Sequence, residues 1–339
     1  MRIAVCAPQV PFVRGGAEVM ADDLVAALRS RGHETELVTI PFKWYPGTRV
    51  LDQAFLWRLA DLTESDGRPI DRVIATKFPA YCVRHPNKVV WVLHQFRQAY
   101  DYDRTELGQF DESPEERATR RAVEQLDAVA LGEARSVFAT SRNVADRLRR
   151  FNNIAARLLP HPPQSLPYRT SPSEGYVLSV NRLDRAKRID LLVEAAQCDR
   201  SLKIVIAGDG PDRPRLEQLA SGLNGQVEFT GRIDEERLAD LYARCLAVYY
   251  APVDEDFGMV PFESFLSGKP VVTTHDAGGP LEVVHDRETG VVVAPDALAL
   301  AQACAYLRDH GDEASAWGLA GKEIAERVTW DACVDALLS

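Results

Sequence analysis

The feature that most limits how this chain can fold is a repeated alternation along its length. Short runs rich in Val and Ile are separated by stretches whose apolar residues recur at helical spacing. Runs that are apolar throughout suit strands buried on both faces, and such strands occur in parallel sheets whose crossover helices cover both sides. The series occurs twice. Its first part predicts strands at 2–6, 35–40, 72–75, 88–93, 136–140 and 156–159, with helices between them. The clearest helix is 17–30, where Val19, Leu24, Ala27 and Leu28 share one face and Gly32 supplies the stop after Arg31. Its second part predicts strands at 176–180, 203–207, 226–230, 246–250, 270–273 and 291–293. Helices there fall at about 188–197, 212–222, 234–244, 259–267, 296–309 and 312–325, before an amphipathic stretch near 329–338.

At 339 residues the chain exceeds what one hydrophobic core usually serves. The segment from Tyr168 to Gly175 follows His161-Pro162-Pro163, is dense in Pro and Ser, and lacks apolar periodicity, which marks a linker. The expected fold class is therefore α/β, with two Rossmann-like, doubly wound domains facing each other across a cleft. The first spans 1–165, the linker 166–175, the second 176–325, and a terminal helix 326–339. Open parallel sheets bind ligands at the carboxyl ends of their strands, so functional motifs are expected there.

Composition narrows the function classes. Hydrophobic residues are 46% and charged residues 27% of the chain, with no biased or repetitive segment, which excludes a disordered or fibrous protein. No apolar run approaches the ~20 residues needed to span a bilayer. The chain enters a strand at Arg2-Ile3-Ala4-Val5-Cys6 without the pattern of a signal peptide, so a cytoplasmic enzyme, soluble or peripheral at the inner membrane face, is expected. Cys6, Cys82, Cys198, Cys245, Cys304 and Cys333 are scattered, read as reduced core residues, and offer no zinc spacing. Net charge is −10, yet residues 1–165 carry 23 basic and 21 acidic residues against 17 and 29 beyond them. The near-neutral first part suits approach to an anionic acceptor or a membrane surface, with ordinary solvated surface as the alternative.

Polar motifs do follow the predicted strands. After 246–250, Glu255-Asp256-Phe257-Gly258 leads into a helix expected to start near Met259, with Pro261 in its first turn. Gly258 allows close backbone approach, and free N–H groups at a helix start would face an anion such as a diphosphate. Glu255 lies ahead of the helix and Glu263 about one turn inside it; both are suited to accept hydrogen bonds from sugar or ribose hydroxyls. The plain alternative is charges at a helix start and a solvated helix residue.

Residues 176–188 form a strand followed by a basic loop in which Arg182 and Lys187 are candidate clamps for a diphosphate, unless the loop is merely solvated. Ala207-Gly208-Asp209-Gly210-Pro211 and Thr230-Gly231-Arg232-Ile233 also follow strands. In the first half, Gly15 and Gly16 within Val13-Arg14-Gly15-Gly16-Ala17-Glu18 would let a backbone approach phosphate, although an ordinary turn explains them as well. His94 ends strand 88–93 where it can enter the cleft, though a lone His is more often structural. Arg97, Tyr100, Asp101 and Tyr102 are placed to shape an acceptor side. Asp101-Tyr102-Asp103 has a metal-like spacing but reads as a surface or acceptor loop, so no metal site is expected. No strand is followed by GxGxxG or GxxxxGK[ST], which argues against nicotinamide chemistry and a P-loop ATPase.

The string from Glu255 to Val272, Glu-Asp-Phe-Gly-Met-Val-Pro-Phe-Glu-Ser-Phe-Leu-Ser-Gly-Lys-Pro-Val-Val, resembles the signature of glycosyltransferase family 4, a retaining family with the GT-B fold. The likeness continues through Asp276-Ala277-Gly278-Gly279-Pro280-Leu281-Glu282-Val283-Val284 and Glu288-Thr289-Gly290-Val291-Val292-Val293. It covers most of 176–330, and the first half only at its strand ends. The resemblance implies a donor-sugar contact at Glu255 and a ribose contact at Glu263, with Phe257, Gly258, Met259 and Val260 in the donor site. It implies diphosphate contacts from Arg182, Lys187, Gly15 and Gly16, donor loops at Gly208 and Gly231, and backbone contacts to the nucleobase around Arg232 and Ile233. It places His94 near the donor sugar and sends the terminal helix back to the first domain.

The implied reaction is metal-independent transfer of a sugar from a nucleotide-diphosphate sugar to a glycan, lipid-linked or small-molecule hydroxyl. It needs no cofactor beyond the donor substrate and no nucleic acid, and UDP and GDP stay undecided. A nucleotide-sugar 2-epimerase of the same architecture, or a non-catalytic nucleotide-sugar-binding subunit, are the alternatives.

Overall fold

A computed structural model describes residues 1–106, 108–223 and 225–339. The chain divides into two compact units, one formed by Met1–His161 with Thr329–Ser339 and the other by Pro162–Val328.

Unit 1 contains strands β1 (Arg2–Gln9), β2 (Glu34–Pro41), the short hairpin β3 (Glu64–Ser65) and β4 (Arg68–Pro69), β5 (Arg72–Ala75), β6 (Lys88–Val92), β7 (Ser136–Ala139) and β8 (Arg157–Leu158). Apart from the hairpin, they form one six-stranded parallel sheet in the order β2-β1-β5-β6-β7-β8. Its central strands are buried on both faces, as their unbroken apolar sequences require: Val73, Ile74 and Ala75 on β5 and Val89 to Val92 on β6 are inaccessible to solvent or nearly so. Helices α1 (Gly16–Ser30), α2 (Val50–Leu59), α3 (Pro114–Gly132) and α4 (Arg142–Asn152) are the crossovers. Helix α3 begins where Ser113 accepts a hydrogen bond from the Glu116 amide with Pro114 in the first turn, and α4 ends where Asn153 adopts the left-handed conformation.

A buried charge on a central strand departs from the apolar rule. Lys88 of β6 is fully buried, and its ammonium donates to the carbonyls of Tyr81, Val83 and Ala130 and pairs with Glu133. Every proton of the charge is used, which is what burial of a cation demands.

Unit 2 contains β9 (Tyr176–Val180), α5 (Ile189–Cys198), β10 (Lys203–Ala207), α6 (Arg213–Leu219), β11 (Val227–Gly231), α7 (Glu235–Arg244), β12 (Ala247–Tyr249), α8 (Val260–Leu266), β13 (Val271–Thr274), β14 (Gly290–Val293), α9 (Ala297–Asp309) and α10 (Gly311–Ala325). The strands form a second six-stranded parallel sheet, β11-β10-β9-β12-β13-β14. The doubly wound α/β fold class expected from the sequence is present in both units.

The last helix, α11 (Trp330–Leu338), packs in unit 1. Cys333, Val334 and Leu337 join the core formed by β1, α1 and β6, and the Arg72 guanidinium donates to the Leu337 carbonyl at 2.6 Å. One sequence expectation needs correcting: five cysteines are buried and all six are free thiols, but Cys198 is exposed. It is the last residue of α5, where the apolar face runs out into solvent.

Candidate functional site

In unit 2 the strand order reverses between β9 and β12, the first and fourth strands of that unit. Chain leaving their carboxyl ends diverges to opposite faces of the sheet, and the gap between such loops is where doubly wound folds receive ligands. The loop after β9 carries Arg182 and Lys187, and the loop after β12 carries Glu255.

The two loops are joined by their side chains. The Lys187 ammonium donates to the Glu255 carboxylate and lies 3.4 Å from the Tyr250 hydroxyl oxygen. Burial by itself would discharge Lys187, yet the neighbouring Tyr250 oxygen and Glu255 carboxylate outweigh it and raise the lysine pKa above its ordinary value. Burial, reinforced by Glu255 and opposed by Lys187, raises the Tyr250 phenol in turn. An ammonium has three N–H donors, and two are directed at these oxygens. Arg182, five residues earlier, is exposed and forms no ion pair among the described residues.

Backbone pairing holds Glu255 in place. Its amide donates to the Ala277 carbonyl at 2.8 Å, and its carbonyl accepts from the Gly279 amide at 2.8 Å, a short parallel bridge outside the main sheet. The Val253 amide reaches the Ala186 carbonyl at 2.9 Å, so the loops after β9, β12 and β13 are tied to one another. Arg188 closes the assembly. Its guanidinium donates to the carbonyls of Ala251 and Pro252, to the Thr274 hydroxyl, and in bidentate fashion to Asp276 at 2.8 and 2.9 Å. Burial works against the Asp276 charge, but Arg188 and Thr274 outweigh it and hold its pKa below the ordinary carboxylate value.

Gly258 sits at φ +81°, and a Cβ there would stand 2.6 Å from Cε1 of Tyr250. The glycine thus allows the Phe257–Val260 turn to lie against the tyrosine that borders Lys187. Phe257 packs on Phe262 with ring centroids 5.1 Å apart, and Met259 and Val260 are half-buried at the start of α8. Glu263, inside α8, is buried and accepts a hydrogen bond from the Tyr242 hydroxyl of α7. It is not a solvated helix residue, and burial raises its pKa despite that bond.

Two further glycines of unit 2 bring loops together. At Gly208, with φ +128°, a Cβ would lie 1.9 Å from the Asn181 carbonyl oxygen, so the residue lets the loop after β10 lie directly on the loop after β9. Gly231 closes β11 and its carbonyl accepts from the Gly208 amide at 2.9 Å, with Arg232 exposed and Ile233 half-buried beyond it.

In unit 1, Gly15 caps α1 and Gly16 begins it, both exposed. The Gly15 amide is not free: it donates to the Glu18 carboxylate at 2.9 Å, and that carboxylate pairs with Lys77, the second residue past β5, at 3.3 Å. Glu18 three residues into the helix is a capping signal that the sequence displays. His94 lies just past β6, half-buried, with Nδ1 2.8 Å from the Gln95 carbonyl oxygen. That nitrogen donates to the carbonyl oxygen. The Asp-x-Asp spacing is absorbed by arginines, Asp101 by Arg97 and Asp103 by Arg117 and Arg120. Among the described residues no group of three His, Cys, Asp or Glu side chains is arranged to hold a metal ion.

The structure therefore joins Lys187 to Glu255, puts Arg182, Gly208, Phe257, Gly258 and His94 on the loops that follow their strands, and puts Gly16, Val260 and Glu263 in helices and Gly231 at the end of a strand. Sequence reasoning missed Arg188, Tyr250, Lys77 and Glu18. Arg188 stood within the basic loop, but only the fold reveals that it clamps loops rather than ligand.

Comparison with known proteins follows this geometry. Residues 167–324 match the family described as Glycosyl transferases group 1. Among curated proteins, an alpha-D-kanosaminyltransferase of Streptomyces kanamyceticus is 35% identical over 125 residues, 35% of this chain and 32% of that protein. The alpha-1,3/1,6-mannosyltransferase ALG2 of Mus musculus is 29% identical over 180 residues, 47% of this chain and 43% of that protein. The chain thus spans well under half the length of the curated relatives it matches. Among solved structures, sucrose-phosphate synthase from Thermosynechococcus elongatus has a TM-score of 0.78 at 21% identity, covering 98% of this chain and 96% of that one. Anabaena Alr3699/HepE in complex with UDP has a TM-score of 0.71 at 20% identity, covering 100% and 98%. These likenesses establish the fold, two Rossmann-like parallel-sheet domains of the GT-B class. Residues 167–324, nearly the whole of unit 2, are similar to the group 1 glycosyl transferases.

Proposed function

We propose that this protein is a retaining glycosyltransferase of family 4 type, moving a sugar from a nucleotide-diphosphate sugar to a hydroxyl acceptor. The observation that carries the proposal is the Lys187–Glu255 contact at the strand-order reversal of a domain similar to the group 1 glycosyl transferases. The reaction needs a cation for the leaving diphosphate beside an acceptor for sugar hydroxyls, and these two side chains supply both. The third ammonium proton of Lys187 and the exposed guanidinium of Arg182 meet the phosphates, while Glu255 accepts from the sugar.

As the bond from the anomeric carbon to the phosphate oxygen breaks, a new bond forms to the acceptor oxygen on the same face. The acceptor proton passes to the departing phosphate. Positive charge on the sugar and negative charge on the diphosphate grow together, so a fixed ammonium–carboxylate pair serves both ends. His94 contributes a hydrogen bond to the sugar, and Glu263 holds the ribose. Basic side chains take the place of a divalent metal.

The test is transfer from radiolabelled UDP- and GDP-sugars to hydroxyl acceptors, with donors first chosen by thermal shift. Lys187→Ala and Glu255→Ala should each lower turnover by at least about 100-fold, the scale of lost electrostatic stabilisation, while circular dichroism stays native. Turnover should survive EDTA. Near-normal activity in both variants sinks the proposal, and activity lost to EDTA and restored by magnesium overturns its metal-independent form. Donor isomerisation without an acceptor would assign the epimerase instead.

A further inference from the structure

Unit 1 holds a cluster of arginines away from the loops described above. Helix α3 ends at Gly132 and leads into β7, and α4 ends at Asn152 and leads into β8. The amino ends of these two edge-side strands and the two helix ends border an open cavity of about 360 Å³, lined by Leu131, Ala134, Arg135, Asn153, Ile154 and Arg157 among others. Arg149 and Arg150 occupy the last turn of α4, whose capping residue Asn153 lines the same cavity.

Many arginines of unit 1 are matched by acids. Arg2, Arg14, Arg31, Arg49 and Arg117 each face a carboxylate. Arg135, Arg149, Arg150 and Arg157 are exposed and pair with no acid among the described residues. The nearest acid in sequence to Arg135, Glu133, is already held by Arg58 at 2.6 and 2.9 Å and by Lys88. Asp146, one turn before Arg149 and Arg150, forms no ion pair with them. Two of the guanidiniums rest on aromatic faces, Arg157 at 4.8 Å from the Phe138 ring centroid and Arg150 at 4.9 Å from that of Phe151. A guanidinium held over a ring keeps its in-plane N–H donors directed outward, the fork that matches phosphate oxygens.

Arg135 and Arg157 bring two cations without a paired acid to the cavity wall, and Arg149 and Arg150 add positive charge to the last turn of the helix whose cap lines it. The geometry points to a phosphate-binding site at this cavity, for a phosphorylated small molecule or for the phosphate of an anionic lipid headgroup. It stands independently of the transfer reaction, because none of its residues belongs to the loops that carry Lys187 and Glu255.

Hydrogen exchange locates the ligand without assuming an activity. Inorganic pyrophosphate, and separately phosphatidylcholine vesicles with or without phosphatidylglycerol, would be added to wild type, to R135A/R157A and to a control R84A/R121A, which removes the same charge from exposed positions elsewhere in unit 1. The proposal expects slower exchange at 131–137 and 153–158 in wild type and the control, with binding weakened roughly tenfold or more in R135A/R157A. Protection by free pyrophosphate assigns a soluble phosphoester. Protection only by phosphatidylglycerol vesicles assigns a lipid headgroup. Protection by neither, or equal weakening in the control, overturns the proposal.

Discussion

Gly258 is where residue-level chemistry constrains the candidate site most tightly. Its φ of +81° is strained for any L side chain, and the space a methyl would take is occupied by Cε1 of Tyr250, 2.6 Å from the ideal Cβ. Gly258→Ala therefore carries the left-handed cost of ~1–2 kcal/mol and displaces the tyrosine that borders Lys187. The expected result is a lowered melting temperature together with loss of the stabilisation conferred by a bound nucleotide sugar. Part of the defect should be recovered in a Tyr250→Ala background, because the clash is gone while the backbone strain stays. A double-mutant cycle measures that coupling, and strict additivity would show that Gly258 and Tyr250 do not interact as described.

Helix α3 shows how one buried carboxyl group joins elements. Asp127 is fully buried on α3 and accepts from the Tyr81 hydroxyl at 2.8 Å and the Tyr100 hydroxyl at 2.7 Å. Tyr100 in turn accepts from Asn152 of α4, whose side-chain oxygen accepts from the Gln95 amide. The chain of bonds thus fastens the loop that starts at His94 to two helices. Burial lifts the Asp127 carboxyl to about 7, although the two tyrosines oppose the shift. The unfolded value is about 3.9, so the folded protein keeps this proton across a window where the unfolded chain releases it. Its stabilisation is complete below about pH 4 and is lost as pH rises through 7. The stability of wild type minus that of Asp127→Asn should fall across this window by up to ~4 kcal/mol. Urea titrations between pH 4 and 8 measure it, and a pH-independent difference would refute the assignment.

On the scale of the whole molecule, the chain completes its first unit with its last helix. Trp330 sets its ring edge-on to Trp91 at 6.2 Å, Arg31 of α1 pairs with Asp331 and Asp335, and Val334 and Leu337 are inaccessible to solvent. Removing residues 330–339 would expose the apolar face of β1, β5 and β6 beneath it, area worth ~25 cal/mol per Å². Amide exchange on those strands should accelerate by at least about tenfold, and unchanged protection would show that α11 is dispensable.

Strand positions were legible because period and composition decide them locally. Val and Ile runs such as 203–207 can be buried on both faces only in a parallel sheet, and the structure has β10 at Lys203–Ala207. The strand-end placement of Arg182, Lys187, Glu255 and His94 was equally legible, since doubly wound sheets put polar loops there. Partner choice was not. Lys187 and Glu255 are 68 residues apart, and only the order β9-β12 makes them neighbours. Arg188 looks like Lys187 in the sequence, but the left-handed turn at φ +48° sends it into carbonyls and Asp276. Glu263 has the spacing of a helix-surface residue until α7 brings Tyr242 over it. Local pattern determined which segments are strands and helices and which loops carry charge. Tertiary structure decided which charges meet, because burial and hydrogen-bond partners come from segments distant in the chain.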